Sequence, residues 1–103
     1  RRGPAPPAVL TFADLTLDPA AREVCRDGRP LTLTALEFDL LRHFLDHPRQ
    51  VLTRGQVLAA VWGTELATAS NIVDVYVGYL RAKLGEPRLL HTVRGVGYVL
   101  RGA

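Results

Sequence analysis

The chain contains no methionine and one cysteine, Cys25. A lone cysteine excludes an internal disulfide and favours a reducing, intracellular setting. No apolar run approaches the ~20 residues needed to cross a bilayer, and no segment reads as a signal peptide. With no start residue of its own, the chain is expected to be a piece of a longer protein or one trimmed by processing. Serine is scarce as well: Ser70 stands alone. His91 and Asp74 can be drawn beside it as a triad, but no local motif supports one. No paired carboxylates with complementary spacing stand out. His43 and His47 lie one helical turn apart, with no further ligand set in evidence, so they read as surface histidines rather than a metal pair. These absences leave no positive sign of catalysis, and no cofactor or metal is expected.

What is present suits one compact domain: 103 residues, 48% of them hydrophobic, enough for a core. The net charge is +3, and its distribution is uneven. Residues 1–48 hold six basic and seven acidic side chains, and residues 49–103 hold seven basic and three acidic ones. The halves therefore carry −1 and +4, and the basic second half fits a polyanionic partner.

The first residues, RRGPAPP, hold nothing that builds a core. Their prolines make them extended, so residues 1–8 read as the remnant of an interdomain linker and 9–103 as the domain. From Val9 to Leu33 the pattern is that of short strands. Val9–Phe12 and Leu15–Asp18 alternate apolar and polar residues. Pro19–Arg22 is a turn, and Asp27-Gly28 is a two-residue hairpin signal between Glu23–Arg26 and Arg29–Leu31. A four-stranded antiparallel sheet follows, with Cys25 expected inside as a small apolar residue.

Thr34 and Glu37 fit a capping box opening a helix whose buried face is Leu36, Leu40, Leu41, Phe44 and Leu45, with Pro48 closing the region. Val51-Leu52 reads as a short link or strand. Thr53 and Gln56 form a second capping box, before a short helix with Val57, Leu58, Val61 and Trp62 on its apolar face, stopped by Gly63. Residues 63–69 connect it to a third helix capped by Thr68 or Ser70. In this helix Val73, Val77, Leu80 and Leu84 form one buried stripe. The opposite face carries Asn71, Asp74, Val75, Gly78 and Ala82, small and lightly polar, a shape that suits the major groove of a duplex. Arg81 and Lys83 lie in the last turns, where cations suit the helix dipole. Leu89–Val93 and Tyr98–Leu100 then read as strands around Arg94–Gly97, whose two glycines allow a tight tip with positive φ. A hairpin after a helix-turn-helix is a wing. The two glycines fall short of a dinucleotide-binding fingerprint, which needs a third glycine and a following helix.

The segments LTLTALEFDLLRHFLDHPRQVLTRGQVLAAVWG, NIVDVYVGYLRAKL and HTVRGVGYVL closely resemble the DNA-binding effector domain of OmpR/PhoB-type response regulators. The resemblance covers residues 9–101 and is specific because the segments occur together. It implies an α+β winged helix-turn-helix, with an N-terminal four-stranded antiparallel sheet, three helices and a C-terminal hairpin wing. It implies sequence-specific binding of double-stranded DNA by a cytoplasmic transcription regulator. It further implies a receiver domain, N-terminal to this chain, phosphorylated on Asp by a sensor histidine kinase, and binding to direct repeats in head-to-tail pairs.

By the same resemblance, helix 70–84 enters the major groove and the wing 92–98 meets the minor groove. Arg54 and Trp62 match positions that contact phosphates. Asn71, Asp74, Val75, Tyr76 and Tyr79 match groove-facing or flanking positions, and Arg81 a basic position near the backbone. Thr92, Arg94 and Tyr98 match wing positions at phosphate or minor groove. The 63–69 loop matches a segment that contacts RNA polymerase in some relatives. One departure stands out: Gly78 and Tyr79 occupy places where some members carry arginine, so bidentate guanine contacts are missing there. Asn71 is then the candidate to read adenine, Val75 to pack on a thymine methyl and Tyr79 to touch a base edge or phosphate. Asp74 either accepts from a cytosine amino group or supports the helix start. The rivals are a winged helix that docks protein through the same face, which would show weak salt dependence, and an enzyme, which lacks a catalytic constellation.

Overall fold

Short alternating segments with turn residues between them can pair only with their neighbours, and the first third of the chain does so. The structure, a computed structural model, describes residues 9–63 and 71–102. Strands β1 (Leu10–Phe12), β2 (Leu15–Asp18), β3 (Glu23–Arg26) and β4 (Arg29–Leu31) form an antiparallel meander in sequence order. The β3–β4 loop has positive φ at both Asp27 (52°) and Gly28 (77°), the type I′ geometry whose twist matches the flanking strands. Between β2 and β3 the Asp18 carboxylate accepts from the amides of Ala20 and Ala21, which fixes the turn at Pro19–Arg22.

Side-chain direction in β3 differs from expectation. Val24 and Arg26 are the buried residues, cross-strand from Leu17 and Leu15, whereas Cys25 is half-buried opposite Thr16 and Pro30. A strand alternates with a period of two, so once Val24 faces the core Cys25 cannot. The core place next to Val24 falls to an arginine.

Helix α1 (Ala35–Leu45) opens with both arms of the expected box. The Thr34 hydroxyl accepts from the Glu37 amide, and the Glu37 carboxylate accepts from the Thr34 amide at 2.9 Å. It ends at Leu45 with Asp46 as cap, before Pro48. Its core face is Phe38, Leu40, Leu41, Phe44 and Leu45, with Leu36 only partly covered and Glu37 buried. A two-residue strand, β5 (Leu52–Thr53), leads into α2 (Arg54–Val61), whose Thr53–Gln56 box is also complete. Gly63, at φ 91°, closes α2 by donating its amide to the Leu58 carbonyl. Val57 and Leu58 are buried, while Val61 and Trp62 are half-buried.

Helix α3 (Ile72–Leu84) buries Val73, Val77, Leu80 and Leu84, the expected stripe. The proposed caps Thr68 and Ser70 lie outside the described residues. The helix begins at Ile72 rather than at residue 70, because Asn71 has non-helical backbone angles (φ −118°, ψ 5°), and its side chain makes no cap bond. Strands β6 (Leu90–Val93) and β7 (Gly97–Leu100) form the wing hairpin, and β5 joins it to make a three-stranded sheet in the order β5-β7-β6. This changes the role of one tip glycine. Gly95 has the positive φ a tight turn needs (75°), but a Cβ at Gly97 would sit 2.0 Å from the Leu52 carbonyl oxygen. Gly97 therefore serves the close approach of β5, not the turn.

One continuous core links the meander, the three helices and the wing through Leu15, Leu17, Leu40, Phe44, Val57, Val77, Leu80 and Leu100. The chain is thus a winged helix-turn-helix with an N-terminal four-stranded sheet. Among the described residues, no helix is long and apolar enough to cross a membrane.

Candidate nucleic-acid interface

The buried stripe of α3 fixes which side faces out. Asn71, Val75, Gly78, Tyr79 and Ala82 are exposed, with Val75 and Tyr79 at 40% and 53%. Asp74 and Tyr76 are partly covered at the margins of this face. Tyr76 stands between Trp62 at the end of α2 and Tyr79, with edge-to-face ring separations of 5.3 and 5.4 Å. That geometry suits aromatic quadrupoles, and it makes a short aromatic ladder from the α2 end to the open surface. Trp62 Nε1 is buried and meets no partner among the described residues.

Three elements converge on Asp74. Its Oδ1 accepts from Arg54 Nε of the first α2 turn at 2.7 Å and from the Tyr98 hydroxyl of β7. Arg54 also lies over the Tyr98 ring, 5.3 Å from its centroid, and Arg81 lies 5.4 Å from the same centroid. Tyr98 is thus flanked by two guanidiniums, an arrangement favoured by the negative ring face. Burial pushes the Asp74 pKa up, but the hydrogen bonds from Tyr98 and Arg54 and the Arg54 charge outweigh it and hold the carboxylate below its ordinary value. The bond to Asp74, with its charge, raises Arg54 above the usual guanidinium range. Burial, then the bond to Asp74, raises Tyr98, so its hydroxyl keeps its proton and donates.

Tyr98, expected on the wing surface, is 4% exposed. Residues of β7 are buried on both sides because β5 and β6 flank the strand and the helices cover it, so the ring belongs to the core and its hydroxyl to Asp74. Arg81 is drawn inward as well: Nε donates to the Leu90 carbonyl at 2.9 Å, and Nη2 donates to the Thr92 hydroxyl at 2.7 Å. Burial, with Arg88 nearby, lowers the Arg81 pKa from its usual value. Thr92 is exposed, and so are Arg94, Gly95 and Val96 at the wing tip. Of the eleven candidate residues named from the sequence, those around Asp74 are physically linked, Asn71, Val75 and Tyr79 form the open helix face, and Arg94 stands apart on the tip.

Two contacts that position this surface have no mark in the sequence pattern, those of Arg26 and of Glu37 with Lys83. Arg26, 1% exposed, donates from Nη1 to the carbonyls of Leu84 and Gly85 and from Nη2 to Pro87, while its Nε holds Asp14 at 3.0 Å. It satisfies carbonyls that the end of α3 leaves free. Glu37 does a second job beyond its capping box by accepting from Lys83 Nζ at 2.6 Å. Burial pushes its pKa up, but Lys83 and the Thr34 amide more than offset this and leave it low. Nothing local marks Arg26, and the capping box marks Glu37 as a cap but not as the partner of Lys83. Away from this surface, the His47 ring meets the His43 carbonyl, and among the described residues no group of side chains is placed to hold a metal.

A domain with this shape has known counterparts. Residues 28–100 match the family described as "Transcriptional regulatory protein, C terminal". The response regulator MprA of Mycolicibacterium vanbaalenii is 58% identical over 97 residues, 91% of this chain and 42% of that protein. MprA of Mycobacterium avium is likewise 58% identical, over 95 residues, 89% of this chain and 42% of its own length. The chain therefore spans about 42% of the curated relatives it matches. Among solved structures, the Klebsiella pneumoniae RstA DNA-binding domain in complex with the RstA box superposes with a TM-score of 0.82 at 32% identity, covering 90% of this chain and 96% of that one. The DNA-binding domain of CpxR from E. coli gives 0.82 at 32% identity, covering 94% and 99%.

Proposed function

The chain belongs to the family of C-terminal DNA-binding domains of OmpR/PhoB-type transcriptional regulatory proteins, and on that premise we propose that α3 reads the major groove while the wing meets the minor groove. The family is one of DNA-binding regulators, not enzymes. The observation that carries the reading is the convergence of the α2 start, α3 and the wing around Asp74, which presents a slim helix face beside basic side chains. Phosphates take Arg54, Trp62, Arg81 and Thr92, and supply most of the affinity. Base edges take Asn71, Val75 and Tyr79, with Asp74 and Tyr76 at the margins. Asn71 suits adenine and Val75 a thymine methyl. Arg94 enters the minor groove, where a narrow groove concentrates negative potential. Tyr98 acts from beneath by holding Asp74 and the two arginines.

The whole protein is a cytoplasmic response regulator, with an N-terminal receiver domain that a sensor histidine kinase phosphorylates, and its output domains occupy direct repeats as pairs. Its contact with RNA polymerase runs through residues 63–69, of which only Gly63 lies within the described residues. The name of the matched MprA relatives, response regulators, and the 42% span support this.

The test is selection of bound duplexes from a random pool, followed by titration at two salt concentrations. A repeated short motif, with affinity falling steeply as salt rises, is the expected result. Salt-sensitive binding without enrichment removes sequence reading. Absence of binding at low salt removes the DNA reading and favours a protein-docking face.

A further inference from the structure

The proposed DNA face carries an anion paired with one of its basic groups, Arg54. Asp74 is 40% exposed and lies in the first turn of α3, where the helix dipole favours a negative charge. That local benefit does not explain its partners. One oxygen accepts from both Arg54 Nε and the Tyr98 hydroxyl, which come from two other elements. The Arg54 side chain is 41% exposed, so the ion pair lies at the water boundary, where such pairs add little stability. Among the described residues its Nη1 and Nη2 donate no hydrogen bond. The Tyr98 ring beneath restricts the guanidinium further.

We propose that Asp74 is a specificity-determining counter-charge, which holds Arg54 in one orientation through Nε and weakens attraction to DNA whose phosphates do not meet that orientation. This rests on the reading of α3 and the wing as the DNA face. Binding to arbitrary duplex is driven almost wholly by phosphate attraction. A fixed carboxylate beside Arg54 and the wing strand opposes it on every sequence. On a matched site the backbone brings a phosphate to the free Nη edge of Arg54, while Nε keeps its carboxylate partner. There the repulsion is offset by a pre-aligned, charge-assisted contact. Asp74 thus raises the ratio of matched to random binding while lowering random binding itself. It is a positioning residue and needs no contact with a base.

The experiment uses the 103-residue chain, Asp74→Asn, Arg54→Ala and the double variant, each checked for fold by circular dichroism. Each is titrated with a random-sequence duplex and with the duplex enriched from the pool, over a range of salt. Asp74→Asn is expected to bind the random duplex about three- to fivefold tighter, with a salt dependence steeper by up to about one unit of slope. The enriched duplex gains less, so the ratio falls. In the Arg54→Ala background the same change leaves the ratio unmoved. Unchanged random-duplex affinity and slope overturn the proposal. So does a changed preference at one base pair without tighter random binding, which makes Asp74 a base reader.

If Asp74→Asn does not fold, Arg54→Ala decides. The counter-charge reading requires a larger loss on the enriched duplex than on the random one, whereas a plain phosphate contact weakens both alike. If no motif is enriched, sequence reading fails and the specificity role of Asp74 falls with it, while the random-duplex comparison still decides whether Asp74 opposes phosphate attraction. If the unaltered chain binds neither duplex, both fall.

Discussion

The two ends of α3 are held by charge in different ways. At the C-terminal end one member of each charged pair is buried. Arg26 is almost inaccessible and donates to three carbonyls, while Lys83 reaches Glu37, whose side chain is 4% exposed. At the N-terminal end Asp74 and Arg54 are each about two-fifths exposed, and Asn71 faces solvent. Removing one member of a buried set leaves desolvated partners behind, whereas water replaces a lost partner at the surface. The C-terminal end therefore fixes where the helix sits against the sheet and α1. The N-terminal end adds little to stability and sets the potential that a partner meets. On the proposed reading of α3, one end is open to a ligand because the other is anchored.

The strongest way to break this contrast is Arg26→Met. It fills a similar volume but strands the carbonyls at the end of α3, so unfolding free energy should fall by about 3 kcal/mol, roughly 12 °C or more in Tm. Thermal melts check it, and a loss below about 1 kcal/mol would mean that water reaches those carbonyls. Gly97→Ala attacks the N-terminal support from the wing side. The new methyl meets the Leu52 carbonyl and must part β5 from β7, at a cost of about 2 kcal/mol. Hydrogen exchange at the Leu52–Tyr98 pairing should report the opening.

Acid distinguishes the two ends next. Glu37 has its folded pKa depressed below 4.5, so its contribution is full above that value and is lost as pH falls through the lower folded one. Asp74 behaves alike from 3.8 downward. His43, lowered from 6.5 by burial and by His47, favours the neutral form when folded, so it too costs stability as pH falls below 6.5. Tm should therefore decline on acidification, first gently and then more steeply. Glu37→Gln should cost about 1.5 kcal/mol at neutral pH and flatten the steep segment. Asp74→Asn should flatten it less. Equal flattening would erase the distinction between buried and half-exposed pairs.

Much of this architecture was legible because its causes are local. Each capping box spans four residues, the stripe Val73–Val77–Leu80–Leu84 repeats at helical spacing, and Asp27-Gly28 announces its turn. The anchoring charges were not. Arg26 occupies a core position in β3, where an arginine reads as solvent-facing, and its carbonyl acceptors lie 58–61 residues away. Cys25 reads as interior on residue type alone, against the strand's own period. Glu37 was legible as a cap, not as a partner of Lys83, 46 residues on. The open face of α3 and the wing are legible from the pattern, and the roles of the individual candidate residues only through family resemblance. Periodicity shows which face of α3 is open, but no local pattern joins Asp74 to Arg54 and Tyr98, 20 and 24 residues away. Gly97 likewise looks like a turn residue until β5 is laid beside it.

The mildest change tests the surface end most directly. Tyr98→Phe keeps the ring between Arg54 and Arg81 and removes only the hydroxyl that donates to Asp74. Asp74 is open enough for water to take the vacated place, and Arg54 still holds its Oδ1. The loss should therefore stay at or below about 1 kcal/mol, no more than roughly a third of that for Arg26→Met. Denaturant unfolding of the two variants under one condition makes the comparison. Were Tyr98→Phe to match Arg26→Met, the hydroxyl would be anchoring α3 from the N-terminal side, and the helix would be pinned at both ends. If it costs little, the polar links around Asp74 are free to be spent on a partner without unseating the helix that carries them.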